Sequence, residues 1–510
     1  MRPLPETGDE RLMRRFGYRP QFNRSLRSFE SFALAFSFIS ITTGIFTTFG
    51  FVLVNAGPRG IWTWPIVILG QTLVAMVYAA LAARIPLAGY SYQWASRLAS
   101  PTVGWWLGWM SFAFLTIVTV SVDYAFVQVA FQPLLGIEYT PLGAAIQTCA
   151  VLAVQAGLII ASTTVTTRIN NAAVIFEVIG MVELAIVLLS AAFLAGRGDW
   201  GNLWSTGTVP VAGWWSWLGP FMLATLLGAY TVVGFESASN LAEETREPRR
   251  VVPKAMIRAV VASGAIGMVF LFALTLAVGD VTAATEDAAP VAFILKSALG
   301  SGIERIFLLF ICISIFCCGM VIMATNSRLV WAMARDRRLP GHQFLASVPR
   351  ATGGPTWATL LVAFLSASIV LVLRNNTDAL VNLFTASVLM PAILYAATVV
   401  LYVAVARRAQ PQPGYFHLGR WEGPVVVGAL VWLAYELIIL IAPSDFRSAQ
   451  RYALGALLLG LVVFGLMLVI EPVAMRRNRG AEGEEALEVA GELPDEPAAE
   501  EELAPASSRE

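Results

Sequence analysis

Twelve apolar runs, each close to the length of a membrane crossing, constrain this chain more than any other feature. They cover Ser31–Val54, Trp62–Ala83, Gly104–Ala130, Leu142–Ala161, Ala172–Ala195, Trp214–Phe235, Met256–Val278, Ile303–Met323, Thr356–Leu373, Leu380–Val405, Val425–Ile441 and Ala453–Ile470. About 20 apolar residues carry a helix across the roughly 30 Å hydrocarbon core of a bilayer, and a helix is the one single-segment structure that satisfies its own backbone there. The 510-residue chain is 57% hydrophobic and 13% charged, against about 45–50% apolar residues in soluble domains. The runs therefore predict an all-α polytopic membrane protein with 12 transmembrane helices. An N-terminal segment 1–30 precedes the membrane domain 31–475, and the Glu-, Ala- and Pro-rich tail 476–510 reads as disordered and acidic.

Basic residues set the orientation. Arg2, Arg11, Arg14, Arg15, Arg19, Arg24 and Arg27 precede the first run, and Arg84, Arg97, Arg168, Arg246 to Arg258, Arg335 to Arg350 and Arg476 to Arg479 share one side. Both termini are accordingly expected to be cytoplasmic, in a plasma-membrane protein. No small-residue cleavage site follows the first run, which reads as a retained helix. Formal net charge is zero, so nothing points to nucleic acid. Cys149, Cys312, Cys317 and Cys318 lie inside apolar runs without metal-ligand or disulfide spacing, and no metal or cofactor is expected. The two histidines, His342 and His417, fall in loops with no nucleophile or nucleotide motif, which argues against an enzyme.

Two runs are interrupted. The sixth reaches Val233-Gly234-Phe235-Glu236, putting a carboxylate where the bilayer should still be, and Gly234 can leave helical dihedrals at little cost. The first contains Ser40-Ile41-Thr42-Thr43-Gly44-Ile45 near its middle. Irregular backbone at membrane depth survives only when buried in protein or lining a cavity, and paired interruptions in two halves mark inverted-repeat transporters. Taken alone, the first of these motifs also fits simple close packing of helices through small residues.

The run from Gly234-Phe235-Glu236 through Ala242-Glu243-Glu244-Thr245-Arg246-Glu247-Pro248-Arg249-Arg250 to Lys254-Ala255 resembles the sixth-helix signature of the amino acid-polyamine-organocation superfamily. Phe36 to Phe46, Ile85-Pro86-Leu87-Ala88-Gly89-Tyr90, and Ser327-Arg328 through Arg335-Asp336 to Leu339-Pro340 look like the same family, the first of them most like its amino acid/choline transporter branch. The resemblance implies a five-plus-five inverted repeat over about 31–195 and 214–405, with helices 1 and 6 broken and two added helices at about 425–470. It implies a substrate carboxylate on the amides of Thr43, Gly44 and Ile45, beside Thr42, and an ammonium against the carbonyls of Ser40, Tyr230 and Val233 next to Gly234. Tyr230 matches an aromatic gate. Thr42-Thr43-Gly44 is bulkier at one position than the family's usual Gly-Ser-Gly.

Carboxylates within spans are costly and mark pathways or structural acids. Asp123, Glu177, Glu183 and Glu236 are weighed here, and Glu177, Asp123 and Glu236 are the candidates for ion or proton coupling. Glu177 falls where several proton-coupled relatives carry a lysine, so it carries a proton or helps to hold sodium. Asp123 would suit a cationic substrate. Glu243, Glu244, Arg249 and Arg250 are read as a cytoplasmic gate whose ion pairs break and reform at small cost, near Arg84 and Arg335. These features predict a secondary transporter, a proton symporter by expectation, for an amino acid or related amine. Choline, ethanolamine, γ-aminobutyrate and polyamines remain open as substrates, a channel or transport-like receptor is the rival class, and nothing fixes the oligomeric state.

Overall fold

The structure, a computed structural model, describes residues 13–476 except 15, 19–21, 23, 195, 197, 350–352, 376–378, 406–413 and 444–445. The expected disordered tail from 477 onward, and the basic residues Arg2, Arg11, Arg15 and Arg19, lie outside the described residues. Among the described residues, eleven helical stretches are long and apolar enough to cross a membrane, so the chain is a polytopic all-helical membrane protein.

The first crossing is two helices, α1 (Ser28–Ile39) and α2 (Ile41–Ala56). Then come α3 (Trp64–Arg84), the short α4 (Tyr90–Leu98), α5 (Pro101–Ala125), α6 (Pro141–Ala161) and α7 (Thr163–Leu194). Proline at the first turn and a hydroxyl cap start α5 and α6. Ser100 Oγ accepts from Val103 N at 3.2 Å and Thr140 Oγ1 from Gly143 N at 3.1 Å, satisfying amides that no preceding turn can reach.

The sixth run departs from expectation. Its helix α8 is confined to Pro220–Thr231, too short to cross alone. Trp214, expected inside the span, lies in the preceding loop, where its buried indole donates to the Ala56 carbonyl at 2.8 Å. After Thr231 the chain is irregular until the single turn α9 (Ser237–Asn240). The sixth of the twelve expected spans is thus a half-helix, a break and a turn.

The remaining helices are α10 (Pro248–Leu276), α11 (Pro290–Leu299), α12 (Ser301–Arg335), α13 (Thr356–Leu373), α14 (Ala379–Val405), α15 (Glu422–Ile441), α16 (Arg447–Ile470) and α17 (Pro472–Arg476). The segment Pro290–Leu299 is a short helix that packs on α2 and α12. Burial ranks the helices. In the span that begins with α5 83% of the most apolar stretch is buried, in the first crossing 78% and in α16 only 17%, so α5 and the broken first crossing lie toward the centre and α16 at the rim.

Candidate functional site: the broken helices and the basic end

A single residue breaks the first crossing. Ser40 adopts φ 36°, ψ 92°, a left-handed conformation that costs a non-glycine residue free energy and persists only where surroundings enforce it. Here a carboxylate does so. Ser40 Oγ donates to Glu177 Oε1 at 3.0 Å, and the Thr42 amide reaches the same oxygen at 3.2 Å. Ser40 Oγ also accepts from Thr43 N at 3.2 Å, and the Ser40 carbonyl accepts from Gly44 N at 3.0 Å. Glu177 therefore caps the N-terminus of α2 from α7, where the helix dipole favours negative charge. The amides of Thr43 and Gly44, assigned above to a substrate carboxylate, are occupied within the chain, and Ile45 lies inside α2 rather than at the break.

In the sixth helix Gly234 takes φ 85°. Its amide donates to Tyr395 Oη at 3.0 Å, and Tyr395 Oη donates to Glu236 Oε2 at 2.8 Å. Glu236 thus fixes the break through a tyrosine on α14. A Cβ on Gly234 would strike the Phe38 ring, and one on Gly44 would strike Thr231, so these glycines let the two broken helices touch. Gly44→Ala is expected to cut uptake more than tenfold, as overpacking costs about 1–3 kcal/mol. Thr231→Gly in the same protein should restore part of that uptake in proteoliposomes; no rescue would mean that Gly44 is needed for something other than this contact.

Between the breaks lies a cavity lined by Thr43, Gly44, Tyr230 and Val233 among the expected residues. Ser40, Thr42, Ile45 and Gly234 are adjacent but do not line it. Sequence reasoning missed Val118 and Val122 on α5, Cys318 and Ile322 on α12, and Ser387 on α14, which complete the wall. Ordinary apolar positions in apolar spans carry no signal of their own. Tyr230 packs against Phe384 with ring centroids 4.8 Å apart and planes tilted by 59°.

Asp123 does not reach the cavity. Its Oδ1 accepts from Gln155 Nε2 at 2.7 Å, pressed so closely against Gly319 that a Cβ there would collide with the carboxylate. Glu183 sits on the outward-facing side of α7. A fifth carboxylate, Glu436 on α15, is buried and receives Gln71 Nε2 at 3.5 Å. It carries the same sequence signal as the other four, a carboxylate inside an apolar run, and was passed over.

At the end of the bundle rich in basic residues, the expected ion pairs exist with different partners. Glu243 is held by both terminal nitrogens of Arg335 at 2.9 and 3.0 Å, and Glu244 by Arg328 at 3.0 Å, all four side chains buried. Glu243 also accepts from the Ala88 amide at 3.1 Å. Arg249 instead donates to the Ala83 carbonyl and lies 3.7 Å over the Tyr415 ring, while Arg250 is exposed beside Glu247 at 3.7 Å. Arg249 and Arg250 do not hold the acidic pair; Arg335, expected near it, does. Because the pairs are buried, they do not break at the small cost expected of exposed ones: removing one partner costs about 3–5 kcal/mol.

The N-terminal segment closes over this end. Phe16, Tyr18, Phe22 and Leu26 are buried. Tyr18 Oη donates to Asp336 at 2.9 Å, Arg335 lies 3.9 Å over the Tyr18 ring, Arg97 donates to the Phe16 carbonyl at 2.8 Å, and Phe22 meets Trp331 edge-on at 4.6 Å. Leu26 N donates to the Glu244 carbonyl at 3.0 Å and Arg246 N to the Leu26 carbonyl at 2.8 Å. Burial alone would raise the Asp336 carboxyl, but Arg338 and Arg335 beside it hold it below the usual carboxylate range.

Comparison with known proteins fits this geometry. The chain is 25% identical over 475 residues to the amino-acid permease BAT1 of Arabidopsis thaliana, covering 87% of this chain and 90% of that protein. It is 26% identical to the BAT1 homolog of Oryza sativa subsp. japonica, covering 86% and 89%. The thiamine transporter thi9 of Schizosaccharomyces pombe is 23% identical, covering 91% and 86%. The family pattern described as amino acid permease matches residues 26–464, and so this chain belongs to the amino acid permease family, as a membrane transporter of amino acids or related compounds.

Proposed function

We propose that the protein is a proton-coupled symporter that carries an amino acid across the plasma membrane by alternating access, with its basic end cytoplasmic. The observation that carries this reading is Glu177 capping α2 beside the cavity. A carboxylate of the protein already occupies the helix terminus that would attract the carboxylate of an amino acid. When Glu177 takes a proton its charge leaves that terminus, and a substrate carboxylate can replace it at the Thr42 amide and the Ser40 hydroxyl. Proton and substrate then bind together and each raises the affinity for the other. The interruptions in the first and sixth crossings support a five-plus-five inverted repeat over about 31–195 and 214–405, with α15 and α16 as the added helices.

Alternating access follows from the two ends. Tyr230 and Phe384 cover one side of the cavity, and the Glu243–Arg335 and Glu244–Arg328 pairs close the cytoplasmic side. The test is uptake by the full chain in proteoliposomes. An inside-alkaline pH gradient is expected to drive accumulation of a labelled amino acid above its external concentration, without sodium. Accumulation that requires sodium and ignores pH, or ion conductance without saturable uptake, would refute the reading.

A further inference from the structure

We infer that the cavity selects a small amino acid with a neutral, apolar side chain and rejects cationic substrates. This rests on the reading that the cavity between the breaks is the substrate site. Its walls are Phe38, Ile39, Val118, Val122, Val233 and Ile322, with the Cys318 thiol. Val118 and Val122 are four residues apart on α5, and Cys318 and Ile322 four apart on α12, so each helix presents two successive turns of one apolar face. No lining residue is charged.

The polar groups that do line the cavity already have partners. Tyr230 Oη and Ser121 Oγ share a hydrogen bond at 3.3 Å, Ser387 Oγ donates to the Leu383 carbonyl at 2.7 Å, and the Thr43 and Ser40 hydroxyls lie 2.7 Å apart. The Cys318 thiol donates to the Phe38 carbonyl at 3.4 Å. No carboxylate lines the cavity to pair with an ammonium at the end of a substrate side chain, and burying an unpaired charge against aliphatic walls is strongly unfavourable. Asp123, the carboxylate that suggested a cationic substrate, follows Val122 by one residue, is turned toward Gln155 and Gly319, and is absent from the wall. Size points the same way. In this closed arrangement the cavity offers only about 10 Å³, room for about one water, so the walls must part to admit even a small side chain.

The experiment is competition for counterflow of a labelled amino acid in proteoliposomes containing the full chain. The unlabelled competitors are alanine, valine, phenylalanine, lysine, choline and putrescine. Wild-type protein is expected to favour alanine or valine over lysine, choline and putrescine by at least tenfold. Val122→Asp puts a carboxylate on the wall and should narrow that ratio at least tenfold in favour of lysine. Ile322→Ala is the milder variant and should admit phenylalanine more readily without changing the valine-to-lysine ratio.

Wild type that prefers lysine or choline, while Ile322→Ala still alters the size preference, overturns the neutral selectivity and leaves the site standing. Competitor preferences unchanged in every active variant would remove the cavity as the substrate site, and the inference with it.

Discussion

Glu177→Gln is expected to abolish pH-driven accumulation while leaving substrate counterflow intact. Gln keeps the shape of the side chain and an oxygen that can accept from the Thr42 amide and the Ser40 hydroxyl, the two donors that Glu177 Oε1 receives at 3.2 and 3.0 Å. It cannot carry a negative charge, so the α2 terminus stays available to a substrate carboxylate at every pH. In the wild type, one linked proton weakens substrate binding by up to about tenfold per pH unit once Glu177 is ionised. The variant should bind with nearly constant affinity from pH 5 to 8, at least as tightly as wild type at the acid end. No ion pair reaches Glu177 among the described residues, and the titratable groups that face it from α12 are the thiols of Cys317 and Cys318. Binding that keeps its wild-type pH dependence in Glu177→Gln would show that the proton is carried elsewhere.

The second large effect belongs to the cytoplasmic pairs. Arg335→Ala leaves Glu243 buried without its cation, and at about 3–5 kcal/mol the closed arrangement should lose on the order of 10²–10³-fold in population against an open one, if water solvates Glu243 there. A cysteine introduced at Ala242, which is fully buried, should react with a membrane-impermeant thiol reagent from the cytoplasmic side far faster in Arg335→Ala than in the parent. Arg250→Ala should change little, since Arg250 is exposed, beside Glu247 at 3.7 Å and 5.5 Å over the Tyr415 ring, and touches neither buried pair. Equal acceleration by both variants would mean that the segment opens by general loosening rather than by loss of the buried pair.

Particular residues show what was legible in the sequence. The apolar runs gave the crossings because length against bilayer thickness is a local property, and Thr356–Leu373 was placed to the residue. Ser40 and Gly234 marked the breaks because hydroxyls, glycine and a carboxylate at membrane depth violate the local pattern. Trp214 was misplaced because an apolar aromatic reads alike in a span and in a loop docked on one; only its bond to the Ala56 carbonyl separates the two. The gate residues were placed near Arg335 without assigned pairs; that Arg335 and Arg328, 92 and 84 residues away, hold Glu243 and Glu244 is a tertiary fact with no local signal. The cavity wall was invisible, since Val118, Val122 and Ile322 differ from lipid-facing valine and isoleucine only in what surrounds them.

The docking of Tyr18 on Asp336 bridges 318 residues of chain, which bears on how the protein is made. At about 5–20 residues per second of synthesis, the N-terminal segment emerges roughly 15–60 s before its seat on α12 exists. Phe16, Tyr18 and Phe22 must wait undocked through most of translation, and the basic end of the bundle can be sealed only after α12 has been inserted. A ribosome-bound chain halted before Trp331 would therefore leave this segment open to protease, and one released past Arg338 would protect it, making the segment a marker of completed assembly.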